Sequence, residues 1–370
     1  MGFDSIFSRS SWTGIPFHFW SAVIFWLGCM VGSFLNVCIH RMPLGLSVVN
    51  PPSHCPHCKY SIPWYLNVPL LTWLMLRGKC KNCGARISVR YFLVELLTGL
   101  MFLAAWLGYG RVSPWVALVY CLFLAGLIAA TFIDFEHFII PDEITIGGMV
   151  AGFVLSVVLP ELHEQTTLAG GIKSSLIGMG VGGGVIYAIL RIGKMLFGRQ
   201  KVALPADTKI IFGESAVILP ESEIPYEELF YRKSDVIVIK ARTVEMVDRG
   251  YCNVEVRLSP ERLRIGDDEF DPEQVKHLEA VSAEITLPRE AMGFGDVKFM
   301  AAIGAFLGWQ ATLFSLMVSS MIGAAVGVAL IIAKKQQWSS RLPYGPYIAL
   351  AAVIWMFGGR AIWEHLFLPR

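Results

Sequence analysis

The sequence predicts an all-α polytopic integral membrane protein with about eight transmembrane helices and two cytoplasmic insertions. Hydrophobic residues make up 55% of the chain and charged residues 16%, and the mean hydropathy is +0.56, which is not the profile of a soluble globular protein. The apolar residues also lie in blocks. We count eight of them, at about 16–39, 91–110, 114–133, 142–160, 172–197, 292–308, 311–333 and 344–366.

The longest uncharged run shows why two of these blocks must be separate passes. Phe299 to Ala333 contains 35 residues without a charged side chain. A helix of that length would measure roughly 50 Å, against a hydrocarbon core of about 30 Å. The chain is therefore expected to fold back near Gly308-Trp309-Gln310. The first block lacks a small-residue cleavage site and is expected to remain as a transmembrane helix.

Basic residues predict the orientation of the passes. Segment 40–90 holds seven Lys or Arg residues, and further basic residues flank later passes at Lys194, Arg199, Lys201, Lys334, Lys335 and Arg341. The alternate connections carry only Arg111 and Lys173. Because cytoplasmic loops are enriched in Lys and Arg, both termini are predicted to be external. The predicted cytoplasmic segments are 40–90, 134–142, 198–291 and 334–343.

These patterns divide the chain into five predicted regions. Residues 1–39 form the first transmembrane helix with a short external lead, and 40–90 form a cytoplasmic module. Residues 91–201 hold passes two to five, and 289–370 hold passes six to eight. Between them, 202–288 contains ten Lys/Arg and 18 Asp/Glu, so that its net charge is −8 while the rest of the chain carries +10. We predict a small cytoplasmic α+β domain there. Its acidity either attracts a basic partner segment or keeps the domain soluble.

Local patterns suggest the elements of this acidic segment. Val236–Ile239, Val254–Leu258 and Leu263–Ile265 are typical of strands, and Asp271–Ala280, opened by Pro272, is predicted to be a helix. In the fifth pass, the glycines between Gly178 and Gly184 contain overlapping Gly-x3-Gly spacings. No strand precedes them, so close helix packing is a better interpretation than a nucleotide-binding loop.

Four cysteines of segment 40–90 form two Cys-x2-Cys pairs, Cys55 with Cys58 and Cys80 with Cys83, separated by 21 residues. Each pair suits a tight knuckle turn, and the doubled spacing is typical of a structural zinc site. Two disulfides or a redox pair are the alternatives. The reducing cytoplasm argues against disulfides, and the doubling of the motif argues against a redox pair. We therefore predict a Zn²⁺ site with four thiolate ligands, in which His54 or His57 could replace one thiolate.

Two aspartates stand at the ends of apolar helices on the same predicted side of the membrane. Asp134 follows 19 uncharged residues, at a helix C-terminus where a carboxylate is disfavoured, and Asp296 stands at the opening of the long uncharged run. Ionised side chains at such places are costly and are candidates for function. By contrast, Asp142 and Glu143 suit the first turn of the fourth pass, where the helix dipole favours negative charge.

A pair of aspartates brought close together can share one proton. One then acts as a base on water while the other polarises a scissile carbonyl group. Gly293 and Gly295 would let backbone or substrate approach Asp296, and Lys298 could pair with an acid or a lipid phosphate. The alternatives to hydrolysis are an ion or proton pathway and a membrane scaffold. Acids at one face, without an internal repeat, favour the enzyme over a transporter.

Several ordered motifs resemble one family. They are Gly32-Ser33-Phe34-Leu35-Asn36-Val37 with Arg41 and Pro43, the two cysteine pairs, 90–99, Asp134 with Ile140-Pro141-Asp142, Gly293-Phe294-Gly295-Asp296-Val297-Lys298, and Leu342-Pro343-Tyr344-Gly345-Pro346-Tyr347. Outside 202–288 the chain resembles the type IV prepilin peptidases, which are leader peptidases and N-methyltransferases of type IV pilus and type II secretion systems. The Gly-x-Gly-Asp element is also similar to that of presenilin-like aspartyl proteases.

The resemblance implies that Asp134 and Asp296 are the catalytic aspartates of a protein in the inner membrane. It implies prepilins and pseudopilins as substrates, with membrane lipid but no nucleic acid as further partners. It also implies S-adenosylmethionine as methyl donor in the region of 40–90, for which Glu95 is a candidate residue; a salt bridge from Glu95 to Arg90 is the alternative. The role of 202–288 stays open between gating substrate entry and docking a component of the pilus or secretion machinery.

Overall fold

A computed structural model describes residues 16–213, 215–220, 222–230, 235–272, 275, 277–288, 293–333 and 342–367. The chain divides into two compact units, a helical unit of Met1–Tyr187 with Gly293–Arg370, and a β unit of Ala188–Met292. The lead 1–15 and three basic residues used to predict orientation, Lys334, Lys335 and Arg341, lie outside the described residues.

The helical unit contains the apolar blocks of the sequence as helices. In chain order they are α1 (Phe17–Arg41), the short α2 (Leu71–Met75), α3 (Val89–Tyr109), α4 (Pro114–His137), α5 (Asp142–Val158), α6 (Leu168–Phe197, whose last residues belong to the β unit), α8 (Phe294–Ile332), α9 (Gly345–Ile354) and α10 (Arg360–Phe367). Short 3₁₀ turns follow α1 and α5 at Met42–Leu44 and Pro160–His163, another lies at Trp64–Leu66, and a π turn, Trp355–Gly359, joins α9 to α10.

Among the residues that the structure describes, six segments are long and apolar enough to cross a membrane: Phe17–Leu44, Val89–Tyr109, Pro114–His137, Leu168–Met195, Phe294–Ile332 and Gly345–Phe367. Together with the cysteine module and the separate β unit, they fit a polytopic membrane protein. Helix α5, with 17 residues, is shorter than these six, at the lower end of the range of transmembrane helices.

Helix α8 reverses direction, as the length of its uncharged run predicts. The break lies at Gly308, whose φ of 82° and ψ of 176° are not helical. Ser319, after the break, has its Oγ 3.0 Å from the hydroxyl of Tyr344. The next residue, Gly345, packs against Ile140, as does Gly295 at the start of α8, although a straight helix would place Gly295 and Ser319 about 36 Å apart. The two arms of α8 therefore lie against each other, and the predicted reversal is confirmed.

Glycines permit the closest helix contacts. Gly178 and Gly182 of α6 face the first arm of α8, where a Cβ on Gly178 would lie 2.0 Å from the carbonyl oxygen of Gly304. A Cβ on Gly182 would lie 2.4 Å from that of Met300. A side chain at either position would force the helices apart, so the packing interpretation is confirmed for Gly178 and Gly182. Gly180 and Gly184 face open space.

The β unit is an eight-stranded antiparallel sheet. Its strands are β1 (Arg199–Phe212), β2 (Ala216–Leu219), β3 (Ser222–Pro225), β4 (Ile237–Met246), β5 (Gly250–Leu258), β6 (Leu263–Ile265), β7 (Asp268–Phe270) and β8 (Leu278–Pro288), in the order β3-β2-β1-β8-β4-β5-β6-β7. Alternate side chains of the central strands are buried in one apolar core. The first and last residues of the sheet, Arg199 and Pro288, are paired.

Two expectations for this segment need correction. After the end of α6, the one helix among the described residues of this segment is the four-residue α7 (Tyr226–Leu229). The segment is therefore a sheet rather than an α+β domain. The helix predicted at Asp271–Ala280 is wrong at Leu278–Ala280, which begin the central strand β8; residues 273, 274 and 276 lie outside the described residues. The three predicted strands are confirmed in β4, β5 and β6.

Candidate active site and metal centre

Asp134 lies in the last turn of α4 and is buried, with 5% of its surface exposed. Its Oδ2 accepts a hydrogen bond of 2.8 Å from the backbone N–H of Gly345. Gly345 is the first residue of α9, and the first N–H groups of a helix have no acceptor within that helix. The positive end of α9 thus compensates the Asp134 carboxylate for its unfavourable place at the C-terminus of α4.

Asp296 is the third residue of α8 and is 8% exposed. Its backbone N–H donates to the carbonyl oxygen of Gly293 at 3.2 Å, which closes the first turn of the helix. A carboxylate in the first turn is favoured by the helix dipole. The residue before Asp296, Gly295, and the hydrogen-bond donor of Asp134, Gly345, both neighbour Ile140, which brings the two aspartates to one place in the fold.

Ile140, in the loop between α4 and α5, joins the surroundings of the two aspartates. Its Cδ1 would lie 3.0 Å from a Cβ added to Gly345, and its Cβ would lie 3.6 Å from one added to Gly295. The residue that bonds Asp134 and the residue before Asp296 therefore pack against one side chain. A Cβ on Gly293 would lie 3.6 Å from Oδ2 of Asp296, so an added Cβ at either glycine would make ordinary contacts.

Three exposed aromatic residues lie close in sequence to the two acids. Phe135 and Phe138 at the end of α4, and Phe294 at the start of α8, are each about half exposed. Phe138 ends its helix in the left-handed conformation, with a φ of 56°. These three rings, here called the apolar border, are exposed aromatic surface that suits a hydrophobic segment of another molecule.

An ion pair fixes the first turn of α8. Lys298 Nζ lies 2.6 Å from Asp142 Oδ1 in the first turn of α5. Of the two alternatives for Lys298, the acid is therefore the one observed. Asp142 keeps its predicted place in the first turn, and its ion pair holds the N-termini of α5 and α8 together two residues from Asp296.

Glu95 contacts the cysteine module rather than Arg90. Its Oε2 accepts the backbone N–H of Leu70 at 2.8 Å, and Ser33 donates a second hydrogen bond. Arg90 pairs instead with Glu136 in the last turn of α4, so the alternative salt bridge to Glu95 is wrong. Leu70 has a φ of 60°, which is strained for a non-glycine residue, and the Glu95 carboxylate holds it there.

The four module cysteines come together in one cluster. The sulfurs of Cys55, Cys58, Cys80 and Cys83 all lie within 4.8 Å of one another, and this is the metal-ligand cluster found among the described residues. The Sγ atoms of Cys55 and Cys83 are 3.9 Å apart, as are those of Cys58 and Cys80. A disulfide needs about 2.05 Å, so the disulfide alternative is wrong.

The donor set fits a tetrahedral metal ion. With metal–sulfur bonds of about 2.3 Å, the sulfurs of a tetrahedral site lie roughly 3.8 Å apart. The Asn82 amide beside Cys58 lowers the pKa of that thiol, and the backbone N–H groups of Cys83 and Asn82 lower the pKa of Cys80. Desolvation and the neighbouring thiols raise the pKa of Cys83 to about 11, as like charges do when they crowd together. The alternative ligand His54 instead has its Nδ1 2.9 Å from the carbonyl oxygen of Pro52.

Two family models match the chain. The bacterial peptidase A24 N-terminal domain matches residues 26–109, and the type IV leader peptidase family matches residues 121–206 and 280–328. The first range contains the cysteine cluster, and the second contains Asp134 and Asp296. The chain belongs to the type IV leader peptidase family. The resemblance predicted from the motifs is therefore confirmed, and most of the β unit lies outside the matched ranges.

Individual members of the family give the same result. The chain is 28% identical to the prepilin leader peptidase/N-methyltransferase of Aeromonas hydrophila, across 94% of each protein. It is 46% identical over 149 residues to the protein of that name from Myxococcus xanthus, covering 40% of this chain and 44% of that protein. It is also 44% identical over 145 residues to the type 4 prepilin-like proteins leader peptide-processing enzyme of Escherichia coli O78:H11, covering 34% and 53%. No solved structure gives a significant match.

Sequence reasoning did not find the roles of Gly345, Ile140 and Leu70. A signal for Gly345 was present, because it lies in one of the motifs that resemble the family. Nothing in the sequence says that its N–H reaches a residue 211 positions away. Leu70 carries no sequence signal, because it contributes only a backbone N–H.

Proposed function

We propose that the chain is a membrane aspartyl endopeptidase that removes the basic leader peptide of type IV prepilins or pseudopilins and N-methylates the new N-terminal residue. The observation that carries this proposal is the pair of buried carboxyl groups, Asp134 and Asp296, at the ends of two apolar helices of a family member. Its relatives are named for leader peptide processing and N-methyltransfer.

Peptide hydrolysis in this site divides the work between the two acids. Asp134 and Asp296 share one proton, because two adjacent carboxylates cannot both ionise cheaply. The ionised acid takes a proton from water as its oxygen attacks the scissile carbonyl carbon, and the protonated acid donates a hydrogen bond to the carbonyl oxygen. The amide nitrogen then leaves with a proton from the acids. The Gly345 N–H occupies one lone pair of Asp134 Oδ2 and so orients that carboxyl group.

The placement of the site in the membrane supports the substrate class. We count eight passes by adding α5 to the six apolar segments and by taking the two arms of α8 as separate spans. With the cysteine module, the β unit and the two aspartates on the cytoplasmic side of the inner membrane, a basic leader would remain in the cytoplasm. The apolar helix of the prepilin would meet the border of Phe135, Phe138 and Phe294.

We propose Zn²⁺ as the ion of the four-cysteine cluster, because a set of four thiolates in two knuckles is the commonest structural zinc site. The ion would join the two halves of segment 40–90. For N-methylation we propose S-adenosylmethionine as donor, which would supply the methyl group. Glu95 does not fit as a contact of that donor, because its carboxylate is buried and bonded to Leu70 and Ser33. We therefore propose that Glu95 acts as a positioning residue, which holds Leu70 of segment 40–90 against α3.

The test is mass spectrometry of a prepilin co-expressed with the full chain. We expect cleaved and methylated pilin with the unchanged enzyme, and uncleaved prepilin with Asp134→Asn or Asp296→Asn. Glu143→Gln, an exposed acid of the next helix, is the matched control and should process normally. Normal cleavage by either aspartate variant would refute the assignment. Glu95→Ala separates the two activities, because it should lower methylation while cleavage continues.

A further inference from the structure

The cysteine module exposes five large apolar side chains in two short stretches of the sequence, here called the apolar rim. Trp64 is 85% exposed and Met75 is 82% exposed. The remaining members, also exposed, are Tyr65, Leu71 and Leu74. Leu71, Leu74 and Met75 lie at i, i+3 and i+4 of α2 and so share one face of that turn. A small soluble module does not ordinarily leave such a cluster in water.

The position of the rim is fixed against a membrane helix. Trp73 packs on Phe92, with ring centroids 5.1 Å apart, and Leu70 donates its N–H to Glu95. Phe92 and Glu95 are the fourth and seventh residues of α3, about 5 Å and 9 Å along the helix from its start. Residues 70–75 therefore lie beside the first two turns of an apolar span, at the level where headgroups meet the hydrocarbon core.

The basic side chains near the apolar rim indicate which kind of surface it contacts. Segment 40–90 contains seven Lys or Arg residues and not one Asp or Glu. Lys79, Lys81 and Arg86 are exposed, and Lys81 Nζ lies 5.8 Å from the centre of the Tyr65 ring. A basic peptide would be repelled by this surface, whereas the negative surface of a phospholipid bilayer attracts it. Trp and Tyr beside basic side chains are also the usual composition of a membrane interface.

We propose that the apolar rim inserts into the headgroup layer of the membrane that the chain spans, and that the neighbouring basic side chains bind anionic phospholipid. The module is then a peripheral membrane element tied to the bilayer at two places, through α1 and α3 and through the rim. This contact is independent of the peptidase reaction. It gives the four-cysteine cluster a further role, because the cluster holds the two halves of the module that carry the rim and the basic residues.

Photo-cross-linking in nanodiscs tests the rim. The full chain carries p-benzoylphenylalanine in place of Met75, and a control carries it in place of Val247, which is 81% exposed in the β unit. The discs contain either phosphatidylcholine alone or an equal mixture with phosphatidylglycerol. We expect lipid adducts at position 75, several-fold more in the mixed discs, and none at position 247. Absence of lipid adducts at position 75, or cross-links there to a co-reconstituted prepilin instead, would overturn the proposal.

A charge variant tests the choice of lipid. Lys79→Glu combined with Lys81→Glu should lower the adduct yield at position 75 several-fold in the mixed discs. Lys201→Glu combined with Lys209→Glu, two exposed lysines of the β unit, should leave it unchanged. Only preparations with full metal content are compared, so a misfolded module cannot imitate the loss. Equal yields in both lipid mixtures, or no response to the Lys79 and Lys81 changes, would refute the role of anionic lipid.

Discussion

The backbone N–H of Gly345 donates to Oδ2 of Asp134 at 2.8 Å, across 211 positions of the sequence. The bond joins the C-terminus of α4 to the N-terminus of α9. It holds one of the two proposed catalytic carboxyl groups by a backbone N–H, which every substitution of Gly345 except proline would keep. What a substitution can do is push the two groups apart.

Gly345→Ala is therefore expected to disable the site without unfolding the protein. The added Cβ would lie 2.8 Å from Asp134 Oδ2 and 3.0 Å from Ile140 Cδ1, closer than unstrained contacts allow. Displacing a catalytic group by about 1 Å can cost roughly a hundred-fold in rate, and we expect a loss of prepilin cleavage of that order. The measurement is kcat in a purified cleavage assay.

The control for this prediction is Gly126→Ala, a glycine of α4 whose added Cβ would meet nothing within 4 Å. It should cleave at the normal rate. If Gly345→Ala also cleaves normally, the close contact with Asp134 is not important for the reaction.

Lys298→Gln should affect the reaction more than stability. The ion pair with Asp142 is partly exposed, and such pairs contribute no more than about 1 kcal/mol to the free energy of unfolding. Lys298 lies two residues after Asp296, so loss of its ion pair frees the first turn of α8, which holds Asp296 in place. We expect kcat to fall several-fold while KM changes little, and Lys298→Arg to restore most of the rate.

The matched control is Lys201→Gln, which removes the exposed ion pair between Lys201 and Glu284 in the β unit. Its kcat should not change. A rise in KM alone for Lys298→Gln would indicate a contact with substrate rather than the positioning of Asp296.

Metal analysis tests the four-cysteine cluster. Cys55→Ser or Cys80→Ser should lose the zinc and destabilise segment 40–90, because three thiolates bind far more weakly than four and the ion joins both halves of the module. Cys252→Ser changes an exposed cysteine of the β unit and should keep a full complement of zinc. Intact, reduced protein without zinc would reject the proposed metal, and another ion in its place would correct its identity.

Patterns with a local physical cause could be predicted from the sequence. The reversal of α8 follows from the length of an uncharged run, and the structure places it at Gly308. The packing of Gly178 and Gly182 follows from glycine spacing on an apolar helix. Strands β4 and β5 follow from runs of β-branched and alternating residues. In each case the deciding property, length or periodicity, is contained within the element itself.

Features that depend on distant partners could not be predicted. Asp271–Ala280 has the proline and the composition of a helix, yet Leu278 pairs with Phe212 of β1 and Met246 of β4 as part of a central strand. Arg90 and Glu95 are five residues apart, which places them on different faces of α3, and Glu95 meets Leu70 instead. The bond from Gly345 to Asp134 belongs to the same class.

Excision of the β unit is the last test, and the structure corrects where to cut. The sheet begins at Arg199, before the boundary of 202 predicted from charge, and Arg199 pairs with Pro288 at its other end. The two ends of the sheet are therefore neighbours, and a short Gly/Ser linker can replace 199–288 without stretching the chain. Since Asp134, Asp296 and Gly345 all belong to the helical unit, we expect the shortened protein to cleave prepilin in a purified assay.

A folded deletion protein with full zinc content and no cleavage would mean that the β unit takes part in the reaction. Normal cleavage in vitro with defective pilus assembly in cells would instead indicate docking to the secretion machinery.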